Sequence, residues 1–143
     1  MTVHIEELTT KDELLAAYPL IKYLRPNLDK QLYIEYLHEM LPMGYRVFGL
    51  YEDDKLVSTV LVVKRIDWYY GKYVWMYGLS TAEDKRSLGY GKMLTDFVKN
   101  WAREQNFDWV GVASDVDRSC AHKFYEEKAN FKRTHLVFGE KII

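Results

Sequence analysis

With 143 residues and a formal net charge of −1, the chain has the length of one domain around one core, and it lacks the positive excess of a nonspecific nucleic-acid or anionic-membrane binder. Cys120 is the single cysteine, which excludes an intrachain disulfide and accords with a reducing cytoplasm. No basic segment leads into an apolar stretch at the start, and no run of about 18 apolar residues occurs, so neither a signal peptide nor a membrane span is expected.

VHIEEL, 3–8, alternates apolar and polar residues and predicts a first strand. TTKDELLAAY follows with a threonine cap and early acids, the start of a short helix. Beyond Pro26, Leu32/Tyr33, Tyr36/Leu37 and Met40/Leu41 recur at helical spacing. They predict a second helix from Asn27 or Asp29 to about Leu41, closed by Pro42 and Gly44. YRVFGLY and LVSTVLVVKRI flank the polar EDDK, and YYGK separates the latter strand from YVWMYGLS, so residues 45–80 read as an antiparallel meander.

Met93/Leu94, Phe97/Val98 and Trp101/Ala102 form one apolar stripe, giving a third helix from about Gly89 to Gln105 that Asn106 ends. DWVGVA is a short apolar strand, RSCAHKFYEEK (118–128) a fourth helix, and FKRTHLVFGEKI a closing strand. The order predicts a mixed α/β sandwich, one domain over 1–143, antiparallel early and parallel around the strand, helix and strand of 73–113.

RSLGYG, 86–91, places two glycines where the third helix begins, although each weakens a helix by about 1 kcal/mol relative to alanine. A loop entering a helix amino terminus presents unpaired N–H groups and a partial positive charge, which suits a phosphate, and Arg86 and Lys92 add charge. A plain helix start with flexible glycines and solvated basic side chains would use the same residues. Two nucleotide loops are excluded: Leu94 stands where a dinucleotide fingerprint needs its third glycine, and Met93 where a P-loop needs Ser or Thr.

RSLGYG fits Arg/Gln-x-x-Gly-x-Gly/Ala, and AHKFYEEKANF, some thirty residues later, is similar to an Ala-x-x-Phe-Tyr-Glu-x-x-Gly-Phe helix. In these motifs and in element order the chain resembles the GNAT superfamily of acyl-CoA-dependent N-acyltransferases. The resemblance implies a mostly antiparallel sheet of six to seven strands flanked by four helices, with a splayed parallel pair at the coenzyme site. It further implies transfer of an acetyl group from acetyl-CoA to a primary amine of a small molecule or peptide.

By that resemblance Arg86, Ser87, Leu88, Gly89, Tyr90, Gly91 and Lys92 would hold the coenzyme pyrophosphate. Leu79, Ser80 and Thr81 would pair with the pantetheine arm, an amide near Leu79 polarising the acyl carbonyl. Arg118 falls where the family often has a coenzyme-contacting asparagine; capping or shielding the next helix is the alternative role. Tyr125 matches the tyrosine placed near the thioester sulfur; a phenol of reference pKa about 10 stays protonated until a departing thiolate needs its proton. Packing beside Phe124 is the alternative role. Ala121, Phe124 and Phe131 match as packing residues, and Asn130 replaces the usual glycine.

An alkylamine is almost wholly protonated at neutral pH, so its proton needs an outlet. Many relatives supply an acid in the fourth strand, but YVWMYGLS has none and carries Gly78 instead. Glu39, Asp67, Glu83 and Asp115 are substitutes to weigh against solvated surface carboxylates, with water-mediated removal the default. The missing acid also admits a different class of protein, a non-catalytic acyl-CoA-binding sensor or regulatory module.

Aromatic residues make up 15% of the chain and concentrate in DWYYGKYVWMY, where one strand face would carry Tyr73, Trp75 and Tyr77. Trp75 and Tyr77 could receive an amine cation, or the rings could fill the core or a dimer contact. His4, His38, His122 and His135 lack metal-ligand spacing, so no metal is expected, and Cys120 reads as buried in its helix. No nucleic acid or membrane partner is expected. Homodimers are common in the family, which leaves that arrangement open.

Overall fold

The structure is a computed structural model that describes residues 2–114 and 118–143. It divides into two compact bodies, Met1–Val112 and Ala113–Ile143, taken here in turn.

The first body is a five-stranded sheet in the order β1-β2-β3-β4-β5. Its strands are β1 (Val3–Glu7), β2 (Tyr45–Glu52), β3 (Lys55–Asp67), β4 (Gly71–Thr81) and β5 (Trp109–Val112). The first four pair antiparallel with their neighbours, whereas β5 runs parallel to β4 from Tyr73↔Trp109 to Met76↔Val112. The meander and the parallel unit thus form where the alternating pattern and turn residues put them.

Helix α1 (Lys11–Leu24) begins in a capping box: Thr10 Oγ1 accepts from the Glu13 N–H, and the Glu13 carboxylate accepts from the Thr10 N–H. It is longer than its opening residues suggested and runs through Pro19, because Leu14 and Ala17 are buried in the core and Ile21 packs against it. Helix α2 (Lys30–Met40) starts on Asp29, whose Oδ1 accepts from the Leu32 N–H at 2.8 Å. Tyr33 and Leu37 of α2 join Leu8, Leu14, Ala17 and Val47 in one cluster on this face of the sheet.

Helix α3 (Tyr90–Glu104) is strongly amphipathic and buries Tyr90, Leu94, Thr95, Val98 and Ala102. Phe97 and Trp101 meet Phe48 of β2 edge-on, with centroids 5.1 and 5.3 Å apart. Directly paired residues share a sheet face. Register therefore puts Tyr73, Trp75 and Tyr77 together with Arg65, Val63 and Leu61, on the face that also carries Val47.

In the second body, α4 (Ser119–Lys123) continues into a π-helical turn, Phe124–Lys128. Tyr125 packs edge-on against Phe124 and Phe131, at 5.3 and 5.8 Å. The expected closing strand does not form, so the sheet has five strands among the described residues rather than six or seven. Its apolar residues Leu136, Val137 and Phe138 are exposed, and Arg133 folds back onto Glu126 at 2.8 Å. Strand propensity is a weak preference that makes no strand without ladder hydrogen bonds. Cys120 lies on α4 as expected but is exposed, because this short helix buries none of its residues.

Candidate functional site

Sequence places Leu79, Ser80 and Thr81 at the end of β4, and the backbone there departs from regular pairing. Gly78 has φ +56° and the β3–β4 register shifts between Thr59 and Leu61, so β4 carries a bulge just after Tyr77. The β5 ladder has already ended at Met76↔Val112. Side chains in this stretch turn to protein partners: Ser80 Oγ donates to the Leu20 carbonyl at 2.7 Å, and Thr81 Oγ1 lies 2.8 Å from Ser58 Oγ. What Ser80 and Thr81 offer a ligand is backbone.

Arg86 closes the connection between β4 and α3. Its Nε donates to the Thr81 carbonyl at 3.2 Å and its Nη1 to the Tyr23 hydroxyl at 3.1 Å, with the guanidinium 4.2 Å from the Tyr23 ring centroid. Ser87, Leu88 and Gly89 follow, all exposed. Ser87 has φ +64°, and Gly89, the residue before the first helical turn, has φ +86° in the left-handed region where glycine costs least. No side chain caps α3 and no acid lies in its first turn. That turn therefore presents amide hydrogens and roughly half a unit of positive charge to a ligand. Gly91 lies inside it, its carbonyl accepting from Thr95 Oγ1, and Lys92 is paired with Asp96 at 2.7 Å.

Tyr90 differs from its loop neighbours. It is buried, and its hydroxyl donates to the Glu52 carboxylate, which also receives Lys85 Nζ at 2.6 Å. Hydrogen bonds from Lys85 and then Tyr90 hold the Glu52 carboxyl below its ordinary range, while Glu52 raises both partners. Glu52 was hidden in the polar EDDK turn; it is the buried end of β2.

Rings of Tyr73, Trp75 and Tyr77 succeed one another along β4 at centroid spacings of 6.2 and 6.4 Å, and Tyr45 stands 6.0 Å from Tyr77. The aromatic face already holds a cation. Arg65 of β3 lies 5.7 Å from the Trp75 and Tyr77 centroids and donates from Nη2 to the Tyr77 hydroxyl. Burial disfavours its charge, yet the hydroxyls of Tyr73, Tyr77 and Tyr45 outweigh that effect and hold the guanidinium above its ordinary value. Among the described residues no carboxylate forms an ion pair with Arg65. Sequence reading missed this residue; the one signal was a charge at an inward position of the apolar LVSTVLVVKRI run.

Of the weighed carboxylates, Asp67 holds a turn. Its Oδ1 accepts from the N–H groups of Tyr69 and Tyr70 at 2.9 Å, and its Oδ2 from the Tyr73 hydroxyl at 2.8 Å, with these bonds lowering its pKa. A lowered pKa makes it a weaker base. Glu39 on α2 and Glu83 are exposed, and Asp115 lies outside the described residues. Among the described residues no group of three or more His, Cys, Asp or Glu is placed to hold a metal. No helix among them is long and apolar enough to cross a membrane.

In the second body, burial pushes the Tyr125 phenol up and Arg118 pulls it partly back, leaving it raised. It is protonated at neutral pH. Arg118 immediately precedes α4 and supplies no side-chain cap to it.

A glycine-opened helix following a bulged β4 with a parallel β5 is the arrangement expected of the acyltransferase class, and known proteins agree. The sequence pattern of the acetyltransferase (GNAT) family matches residues 9–131, and the chain belongs to that family. It is 32% identical over 141 residues to the uncharacterized N-acetyltransferase YhdJ of Bacillus subtilis (strain 168), covering 98% of this chain and 99% of that relative. Its fold is similar to that of AAC(6')-Iy bound to the bisubstrate analog CoA-S-monomethyl-acetylneamine, with TM-score 0.85, 17% identity and full coverage of both chains. Glucosamine-6-phosphate N-acetyltransferase from Arabidopsis thaliana shares the fold at TM-score 0.77 and 15% identity, again over both whole chains.

Proposed function

We propose that the chain works as one N-acetyltransferase domain that moves an acetyl group from acetyl-CoA to a primary amine of a small molecule or peptide by direct attack. The observation that carries this reading is the uncapped first turn of α3, opened by Gly89 and tied by Arg86 to the end of β4. Its amides and dipole suit a pyrophosphate, with the backbone of residues 86–92 as the cradle. Leu79, Ser80 and Thr81 would pair with the pantetheine arm through main-chain groups, and an amide near Leu79 would polarise the thioester carbonyl.

The amine nitrogen attacks that carbonyl, the carbon–sulfur bond breaks, and Tyr125 gives its proton to the departing thiolate, to be replenished from solvent. The proton lost by the amine leaves through water. Arg118 is assigned to the coenzyme. A cytoplasmic setting accords with the single cysteine.

Thiol release from acetyl-CoA in the presence of an amine panel tests the reading; release above the amine-free rate on some amine supports it. A second reading, a non-catalytic acyl-CoA sensor, is favoured by one observation, the absence of any acid along β4. Coenzyme binding by calorimetry with no release on any amine would select the sensor.

A further inference from the structure

Arg65 stands on the aromatic face of β4 with no carboxylate partner among the described residues. Its surroundings set it apart from three other cations near the candidate site. Lys85 is paired with Glu52, Lys92 with Asp96, and Arg86 with the Thr81 carbonyl, so each has a local anion or dipole to answer it. Arg65 has phenol hydroxyls and ring faces instead. These orient the guanidinium fork, and no carboxylate among the described residues is in ion-pair contact with it. Asp67, on the same face, turns its oxygens to Tyr69, Tyr70 and Tyr73 and meets Arg65 only through a weaker charge interaction, with no ion-pair contact.

Its position also matters. The residue it grips, Tyr77, immediately precedes the bulge at Gly78 and the segment assigned to the pantetheine arm. The rings of Trp75 and Tyr77, candidates for a substrate ammonium, are therefore occupied by a fixed cation, which repels a second one. The planar fork of a half-buried guanidinium without an ion-pair contact instead matches two oxygens of an oxyanion such as a carboxylate or phosphate.

We propose that Arg65 is a specificity residue that selects acceptor amines carrying an anionic group, a carboxylate or phosphate, over polycations. This rests on the acetyltransferase reading above. It deepens that reading by naming the acceptor class.

The test compares matched acceptors: amino acids with their carboxamides, 2-aminoethyl phosphate with ethanolamine, and spermidine as a polycation. Wild-type protein is expected to show kcat/KM at least about tenfold higher for each anionic member than for its neutral match, through KM, with spermidine poorest. Arg65→Gln is expected to reduce that ratio about tenfold or more, and Arg65→Lys to retain part of it. A preference for spermidine, or a ratio unchanged in Arg65→Gln, would overturn the proposal. A purely structural role for Arg65 would lower both members of each pair alike.

Melting curves provide a readout that needs no turnover. Anionic amines should stabilise wild type more than neutral ones do, and Arg65→Gln should abolish the difference. Absence of turnover on every amine with this difference intact would sink the acetyltransferase reading and keep the selectivity. Equal stabilisation by both classes would sink the selectivity. Should Arg65→Gln fail to fold, the wild-type comparison and Arg65→Lys still decide.

Discussion

The hydroxyl of Tyr90 donates to the carboxylate of Glu52, which simultaneously receives the ammonium of Lys85. Through this pair the first residue of α3 is fastened to the end of β2, and the connection before α3 is held at Lys85. The exposed loop residues thus rest on a fixed base. Tyr90 belongs among the loop residues by its backbone, but its side chain is part of the support.

That support titrates. Because the folded Glu52 pKa lies below its ordinary value of 4.5, its contribution to stability is complete above that value and is lost as pH falls below it through the folded pKa. Lys85 is raised above 10.5, so its contribution is complete below that value and is lost only as pH climbs through the higher folded value. Melting temperatures of wild type and Glu52→Gln should therefore differ most around neutral pH and converge as the pH is lowered well below about 4.5. Glu52→Gln should also weaken coenzyme A binding, measured by calorimetry.

Gly89→Ala tests the turn that opens α3. An added Cβ would meet nothing within 4 Å, so the cost is conformational, from φ +86°. An L side chain in that region costs roughly 1–2 kcal/mol. Urea unfolding should show a loss of that size, or a smaller loss if the loop relaxes to negative φ, in which case coenzyme affinity should fall instead.

Gly111→Ala tests the aromatic floor. Register sets Gly111 beside Trp75, and a Cβ there would lie 2.2 Å from Cζ3 of Trp109 and 2.6 Å from Cζ3 of Trp75. One or both indoles must move. Overpacking of this kind costs roughly 1–3 kcal/mol. Denaturant melts should register the loss, accompanied by a changed tryptophan emission spectrum.

Tyr125→Phe tests the assigned acid. Removing a general acid lowers kcat by about a hundredfold or more while leaving coenzyme affinity nearly intact. Turnover equal to wild type would assign the proton to another donor.

Local patterns made most of the first body legible. Thr10 with Glu13, Asp29 ahead of α2, and the alternation of β2 and β3 each act over a few residues, so sequence alone carries them. The full length of α1 was not local in the same way: it runs through Pro19 because burial of Ala17 on one side and packing of Ile21 on the other override a local breaker. Glu52 and Arg65 escaped for a related reason. Glu52 meets Lys85 and Tyr90 at separations of 33 and 38 residues, and no window spans such a trio. Arg65 reaches Tyr77 across a strand register that only pairing fixes. The closing strand failed in the opposite sense: its composition suits extension, but composition does not supply the ladder partners that make a strand.

Because β5 stops opposite Met76 while β4 continues to Thr81, the main chain from Tyr77 onward has no strand beside it on that side among the described residues. Such an edge is a template for any extended chain. A bound pantetheine arm would act there as a protective cover, slowing deuterium uptake at residues 77–81, and the uncovered protein is the form expected to self-associate on concentration.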